Sequence, residues 1–466
     1  MTLEELCTSR VALWGIGTEG LAMADLLARR GVVPVLIDDR AEDAGVRLGS
    51  VTGTRRPVLR PDQVVWGDLD VVVRAPGVSR YRPELLAAEE SGVAVTTAMA
   101  VWLEDYADAR VVAITGTKGK STTAALTASI LREGGLDVAL IGNIGVPVTE
   151  MYTRPSVDAY VVEVSSYQAV DVTVTPGVCV LTSLAPDHLD WHRGEESYYR
   201  DKLRLIEAGP PGALAVSAAS EEAVRRTTGH PNRVLFGPSG RVRVTASGAI
   251  AVDDEHIGPA PVMRVPGRHN LWNLCGAIAG ALLLEGQSPS MDSIRAAVDG
   301  FDGLPSRCRT VGQRDGLTFV DDALASNPFA TMSSLEAFPG RELTVILGGA
   351  DRGVDPTGLA EALATRRPLP RVVVLPPESD RLRDSLASRT VAGGPVPVDV
   401  ALDLEDAVRA AVDATPSGGI ILFSPAAPTP EGEGGFAERS RRFVAASGLT
   451  VEASATTVED PRGELT

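Results

Sequence analysis

The chain is poor in cysteine, in long apolar runs and in positive charge, and each shortage removes a class of protein. Its four cysteines, Cys7, Cys179, Cys275 and Cys308, stand far apart in 466 residues, with neither the close pairs of a metal site nor the density of a disulfide scaffold. They read as reduced, mostly buried small side chains. No apolar stretch approaches the roughly 20 residues that cross a bilayer, so membrane insertion is not expected. The N-terminus lacks a basic region followed by a sustained apolar run, which makes the cytoplasm the expected compartment. Lys and Arg number 44 against 61 Asp and Glu, a net charge of -17, and this argues against a general nucleic-acid binder. Any polyanion has to be gripped locally.

What is present is ample core material. Hydrophobic residues make up 44% of a chain too long for one core, and three domains are the natural division. Apolar β-branched runs alternate with Ala/Leu-rich amphipathic stretches, the signature of an α/β fold with parallel sheets and crossover helices. The first unit runs from a strand at Val11 to Trp14 through Gly15-Ile-Gly17-Thr-Glu-Gly20, a helix-like Leu21 to Arg30 and a strand-like Val33 to Ile37 ending at Asp38 and Asp39. Glycines at a helix start with an acid after the second strand resemble a dinucleotide fingerprint. A further strand at Val71 to Val73 precedes Ala75-Pro-Gly77-Val-Ser79, a tight turn suited to backbone contact with an anion. The polar stretch from Ala107 to Arg110 marks the first boundary, giving domains at 1–109, 110–309 and 310–450 and an acidic tail at 451–466. The second includes a helix-like Asn270 to Leu284, and the third has apolar runs at Leu343 to Leu347, Val372 to Leu375 and Ile420 to Phe423.

Residues 111 to 122 carry the strongest chemical signal. An apolar strand breaks into Gly116-Thr117-Lys118-Gly119-Lys120-Ser121-Thr122, a phosphate-gripping loop in which backbone N–H groups and a helix start face an anion. Lys120 reaches the terminal phosphates, and Ser121 or Thr122 offers a hydroxyl to magnesium. The loop is one residue shorter than the usual G-x-x-x-x-G-K-[ST] spacing, which points to a particular branch of ATP users.

Three further constellations follow. Glu163 closes an apolar strand, where ligands of open sheets gather, and is a candidate magnesium ligand. His188 stands between Asp187 and Asp190 after another strand, and is either a site residue or a structural hydrogen bonder. Lys202, in the charged stretch from Tyr198 to Arg204, reads on its own as a solvated surface lysine.

The ordered set Gly116 to Thr122, Gly142-Asn143-Ile-Gly145, Glu163-Val-Ser-Ser-Tyr-Gln168, Asp187-His188-Leu-Asp190, Tyr199 to Leu203, Gly267-Arg-His-Asn270 with Asn273, Leu304-Pro-Ser-Arg307, Asp321-Asp322 and Leu347-Gly-Gly349 spans nearly the whole chain. It resembles the Mur ligases of peptidoglycan precursor synthesis, most closely the MurD-like branch that adds glutamate to UDP-N-acetylmuramoyl-L-alanine. The resemblance implies a Rossmann-like UDP-binding domain, a central P-loop ATPase domain with a parallel sheet and a C-terminal Rossmann-like domain that binds glutamate. It implies an ATP-dependent amide ligase using Mg2+, in which a substrate carboxylate is phosphorylated and the acyl phosphate is attacked by the incoming amine. Lys120, Lys202, His188 and Asn143 would be catalytic, and Gly116 to Thr122, Asn270, Asn273, Arg307 and Asp322 would hold ATP. Ser121, Thr122, Glu163, His188 and a carbamylated Lys202 would hold metal, which reverses the surface reading of Lys202. Gly15, Thr18, Glu19, Asp38, Asp39, Arg40, Gly77 and Ser79 would bind the UDP substrate in place of a dinucleotide. Leu324, Ser326, Arg352, Thr429 and Phe436 would face glutamate.

Departures from the family concentrate at the glutamate end. A lysine of the usual Asn-Asp-Ser-Lys-Ala-Thr-Asn segment is Leu324, and the usual Ser-Pro-Ala-Cys-Ala-Ser reads Ser424-Pro-Ala-Ala-Pro-Thr429. Two carboxylates still need partners, since an unpaired desolvated charge costs several kcal/mol. Arg352 retains the basic residue for the side-chain carboxylate, so the changes bear on the α-carboxylate. The reading leans to L-glutamate, with ordinary D-glutamate addition as the alternative. A folylpolyglutamate-synthetase-like ligase is disfavoured by the N-terminal unit, and a non-catalytic nucleotide binder by the intact Lys120, Asn143, Glu163, His188 and Lys202. A hinge near Arg309 is expected to close the third domain, and the expected state is a monomer.

Overall fold

The computed structural model describes residues 1–45, 56–144, 146–265, 267–350, 354–376, 380–387, 396–430 and 432–449. Arg352, Gly145 and the acidic tail lie outside the described residues. Within them are three sheets in chain order. The chain divides into two compact units, Met1–Val262 with His269–Gly300, and Met263–Arg268 with Phe301–Thr466. The first unit holds two of the sheets and the second holds the third.

The first sheet comprises β1 (Val11–Trp14), β2 (Val35–Ile37), β3 (Val58–Leu59), β4 (Val71–Arg74) and β5 (Ala94–Thr96). Its order β3-β2-β1-β4-β5 is parallel throughout, the doubly wound arrangement of the Rossmann fold. The order reverses between β1 and β4, so the loops after these two strands open side by side and form the crevice where such sheets bind ligands. Gly15 makes that closeness possible. Its φ is 97°, and a Cβ there would stand 2.7 Å from the Ala75 Cβ.

The second sheet comprises β6 (Val111–Thr115), β7 (Val138–Gly142), β8 (Ala159–Glu163), β9 (Val178–Leu181), β10 (Ala213–Ser217), β11 (Arg233–Phe236), β12 (Val242–Val244), β13 (Ala249–Val252) and β14 (Glu255–Pro259). Its order is β14-β13-β12-β11-β10-β9-β6-β8-β7. Only the β12–β13 and β13–β14 pairs among these are antiparallel. Strand β6 is buried along its whole length between β8 and β9, as expected of a parallel strand covered on both faces. The third sheet comprises β15 (Arg309–Arg314), β16 (Leu317–Asp321), β17 (Leu343–Leu347), β18 (Arg371–Val374), β19 (Val398–Val400) and β20 (Ile420–Phe423). It runs β15-β16-β20-β17-β18-β19, parallel except for the β15–β16 hairpin.

The first two sheets share one core. Leu13 and Trp102 pack in the same buried cluster as Ala113, Tyr160 and Val162, and the Trp102 ring stacks on Tyr106 at 4.6 Å and meets Tyr160 edge-on at 5.3 Å. The polar stretch from Ala107 to Arg110 therefore links two sheets that are packed together. Element bounds shift slightly from the sequence expectation. The first helix after β1 begins at Thr18, because Gly17 caps it directly, and Val33 is 79% exposed ahead of β2. Among the described residues no helix is long and apolar enough to cross a membrane. All four cysteines are free, and three of them are buried.

Candidate active site

The phosphate loop leaves the C-terminal end of β6 and feeds the helix Lys120–Glu133. Its shape is set by contacts to the segment after β9. The Thr117 N–H donates to the Ser183 carbonyl (2.9 Å), the Lys118 N–H donates to Ser183 Oγ (2.8 Å), and Thr182 Oγ1 donates to the Lys118 carbonyl (2.6 Å). Gly119 has φ 88°, and a Cβ there would fall 2.4 Å from Asn273 Oδ1. Asn273 and Asn270 are thus buried behind the loop, joined to each other at 3.0 Å. Ser121 is buried in the first turn of the helix.

Lysines converge on this turn. Lys120 Nζ donates to the Gly116 and Thr117 carbonyls at 3.0 and 3.1 Å, and Lys202 Nζ donates to the same Gly116 carbonyl at 3.0 Å. Lys202 is buried, 2% exposed, on the helix Glu195–Glu207, which corrects the solvated-surface reading of that residue taken alone. The 3.6-residue helical period places Tyr198 one turn before it, and the Lys202 ammonium lies 5.0 Å from that ring. Burial, then the Lys120 charge, pushes the Lys202 amine well below its usual range.

Glu163, at the end of β8, is fully buried. Its Oε1 accepts from Asn143 Nδ2 at 2.7 Å, while Oε2 is buried without a hydrogen-bond partner. A carboxylate oxygen stripped of water and left unpaired is costly unless a cation completes it, and a hard divalent ion suits such an oxygen. Among the described residues no three His, Cys, Asp or Glu side chains cluster as a metal cage, so phosphate oxygens and water would have to supply most ligands. His188 takes left-handed backbone angles (φ 52°) just before the helix Leu189–His192. Its ring is half exposed, 3.7 Å from Asp187 and 4.9 Å from the Tyr167 ring. Burial and the nearby Lys202, Lys120 and Lys118 hold it below the ordinary histidine value against the pull of Asp187.

At the crevice of the first sheet, Asp38 accepts from the Ile16 and Arg40 N–H groups at 2.8 and 2.9 Å, so it shapes the loop. Asp39 pairs with Arg82 at 2.9 Å, and Ser79 Oγ donates to the Trp191 carbonyl at 2.8 Å. Glu19 Oε1 accepts from Gln168 Nε2 at 2.6 Å, its Oε2 is buried without a partner, and burial raises its carboxyl to about 7. Gly17 and Gly77 have open space where a Cβ would stand.

In the second unit, Asp322 is buried and its carboxylate is occupied within the fold. It accepts from the Cys308 N–H (3.0 Å), Ser334 Oγ (2.6 Å) and Ser424 Oγ (2.7 Å), and burial raises it to about 6. Arg307 is exposed. Ser326 lines a cavity with Pro328, Gly348 to Ala350, Arg381 and Pro425 to Pro428. Leu324 is half-buried with its N–H on the Ser306 carbonyl, Thr429 is half-buried, and Phe436 is exposed at the start of the helix Phe436–Ala446. These three are not among the residues lining the cavity.

The sequence reading missed the supports. Tyr198 OH meets Thr117 Oγ1 at 2.8 Å, so the helix bearing Lys202 also braces the phosphate loop. His192 is buried and bridges Asp201 (2.7 Å) and Ser166 (2.9 Å), and Asp201 also accepts from Tyr81 OH at 2.8 Å. The helical spacing of Tyr198 and Lys202 was the one available signal. The others depend on long-range pairing.

Two family models match the chain, the Mur ligase middle domain over residues 114–281 and the Mur ligase glutamate ligase domain over residues 306–427. The chain belongs to the Mur ligase family. A relative from Salinispora tropica, named UDP-N-acetylmuramoyl-L-alanine–L-glutamate ligase, is 39% identical over 96% of this chain and 99% of its own length. A relative of the same name from Xanthomonas axonopodis pv. citri is 34% identical over 96% and 97%. Among solved structures, the Thermotoga maritima UDP-N-acetylmuramate–alanine ligase MurC superposes with a TM-score of 0.61 at 19% identity, covering 94% of this chain and 98% of that one. MurF from the same organism, solved with ADP, gives 0.58 at 16% identity over 95% and 98%. These likenesses share the Mur ligase fold, and the phosphate loop, Glu163, His188 and Lys202 all fall within the matched middle domain.

Proposed function

We propose that this Mur ligase phosphorylates the carboxylate of UDP-N-acetylmuramoyl-L-alanine with ATP and joins the acyl group to L-glutamate. The observation that carries the reading is the convergence on Gly116 of Lys120, Lys202 and the loop contacts, with the unpartnered Glu163 oxygen in the same sheet end. The full-length relatives bearing the L-glutamate ligase name support the enantiomer. Functionally we assign residues 1–109 to the UDP substrate, 110–309 to ATP and 310–450 to glutamate, in a cytoplasmic monomer.

Lys120 and the loop N–H groups bind the phosphates and offset charge as it builds on the transferring phosphoryl group. Glu163, the Ser121 or Thr122 hydroxyl, His188 and a carbamylated Lys202 would hold Mg2+, which would supply Lewis-acid charge neutralisation. The buried, low-affinity amine of Lys202 fits carbamylation. The neutral amine that burial and the Lys120 charge favour is the form that adds CO2, losing a proton to give a carbamate, and the carbamate's negative charge would attract Lys120 where a second ammonium would repel it. Asn143 fixes the Glu163 carboxylate, and Tyr198 holds Thr117 and hence the loop. Gly15, Thr18, Gly77 and Ser79 border the crevice offered to the UDP substrate.

Steady-state turnover of UDP-N-acetylmuramoyl-L-alanine with each glutamate enantiomer separately tests the proposal. ATP-dependent amide formation that prefers the L form is expected, and a clear preference for the D form would overturn the assignment of enantiomer.

A further inference from the structure

Glu163, His188 and Lys202 come from three separate segments of the first compact unit, and one buried histidine joins all three. Glu163 closes β8 and is followed by the short helix Ser166–Ala169. His188 caps the short helix Leu189–His192. Lys202 stands directly after Asp201 in the helix Glu195–Glu207. His192 Nδ1 meets Asp201 Oδ2 at 2.7 Å and its Nε2 meets Ser166 Oγ at 2.9 Å, while its backbone N–H donates to the His188 carbonyl at 3.2 Å. One residue therefore touches the segment of each candidate ligand.

Water does not compete for this chain. His192 is fully buried, and Ser166 and Asp201 are buried with it. A carboxylate only accepts, so the ring donates from Nδ1 to Asp201 and its Nε2 accepts from the Ser166 hydroxyl. Asp201 is pinned from its other side by Tyr81 OH, 2.8 Å from both carboxylate oxygens, with Arg200 Nε at 3.7 Å. The Tyr167 ring, next to Ser166 in the chain, lies 4.9 Å from the His188 ring and 5.6 Å from that of His192. A buried polar chain in which every member has its partner specifies a single arrangement. Its anchor points stand one residue from Lys202, three from Glu163 and four from His188, so the chain fixes the segments without occupying the site.

We propose that His192 is a positioning residue for the metal site: held in one tautomer by Asp201 and anchored on Ser166, it sets the spacing of Glu163, His188 and Lys202 and with it the affinity for a divalent cation beside the nucleotide phosphates. The proposal rests on the ligase reading above. Partners of this kind orient ligands that they do not replace, and their loss weakens metal binding more than it weakens the fold.

The test measures Mn2+ binding to the full-length enzyme with the non-hydrolysable ATP analogue adenylyl imidodiphosphate, from the EPR signal of free Mn2+ and above the binding to the analogue alone. Wild type is compared with Ser166→Ala and His192→Asn, the second of which keeps a donor to Asp201 and loses the reach to Ser166. Both are expected to weaken Mn2+ binding roughly ten- to hundredfold and to raise the Mg2+ concentration for half-maximal turnover alongside. The glutamate KM at saturating Mg2+ and the analogue affinity in EDTA should stay within about twofold. Ser166→Ala removes one hydroxyl and leaves His192 on Asp201, so it decides the matter alone should His192→Asn not fold. Unchanged Mn2+ affinity in folded Ser166→Ala, or an equal loss of analogue affinity in EDTA, would overturn the proposal and leave the ligase reading standing. A wild type whose analogue complex binds no Mn2+ would instead overturn the metal-site reading, and the proposal with it.

Discussion

Two strand–turn–helix units of the first compact unit use one backbone device with opposite charge. After β1, Gly15 turns the chain into the helix Thr18–Arg29, and the acids lie close by. Asp38 holds the Ile16 N–H, and Glu19 stands in the first helical turn with half of its carboxylate unpaired. After β6, Gly116 and Gly119 turn the chain into Lys120–Glu133, and lysines gather there, with Lys120 and Lys202 on one carbonyl and Lys118 3.9 Å from Asp187. Both turns place a helix start at the C-terminal end of a parallel strand, the position suited to an anionic ligand. The first has already committed an N–H to an acid and leaves open room at Gly17, which suits a ligand held by shape and a few amides. The second concentrates charge, as a triphosphate requires.

Replacing Lys202 should separate the two turns most sharply. Lys202→Ala is expected to lower amide formation by on the order of a thousandfold, with partial rescue by short carboxylic acids such as acetate and unchanged affinity for the UDP substrate, read by steady-state kinetics and equilibrium binding. Near-normal activity would remove Lys202 from the metal site.

The link between the regions should break next. Arg74, at the end of β4, is buried and pairs with Asp171 at 2.5 Å while donating to the Val78 and Tyr167 carbonyls at 3.0 and 2.6 Å. Among the described residues Arg74→Met leaves Asp171 paired only to Arg80, and a loss of about 3–5 kcal/mol is expected in urea unfolding. Replacing Asp171 by Leu as well should recover part of it.

A glycine pair then tests the first turn itself. Gly15→Ala should cost about 1–3 kcal/mol of stability through its positive φ and the Ala75 clash. Gly17→Ala should leave the melting temperature nearly unchanged, because no protein atom lies within 4 Å of a Cβ there, and should raise KM for the UDP substrate if the proposed substrate fills that space. Equal effects on stability would undo the distinction.

A further effect is pH-dependent. Burial raises the Glu19 carboxyl from 4.5 to about 7, so the folded state favours the protonated acid. Stability is therefore lost as pH climbs from 4.5 to about 7 and is flat above, a cost of up to about 3 kcal/mol. Glu19→Gln should melt above the wild type at pH 8, with the gap closing toward pH 5.

Much of this was legible in the residues. The β-branched run at Val111 to Thr115 is long, apolar and followed by glycines and a lysine, so strand, turn and helix follow from local chemistry alone. The same holds for Val11 to Trp14 and Leu343 to Leu347. Lys202 was not legible by local rules, because a charged helix face at that spacing reads as solvated until Tyr198, Gly116 and Glu163 are brought around it.

By itself the sequence determined the class of fold, the phosphate loop and the family of amide-forming ligases, since periodicity, glycine placement and motif order are local properties of a chain. Only the tertiary structure decided which charges are buried, which are paired and which face open space. Desolvation and pairing depend on neighbours that the fold collects from distant segments, and these set the state of Lys202, Glu163 and Glu19.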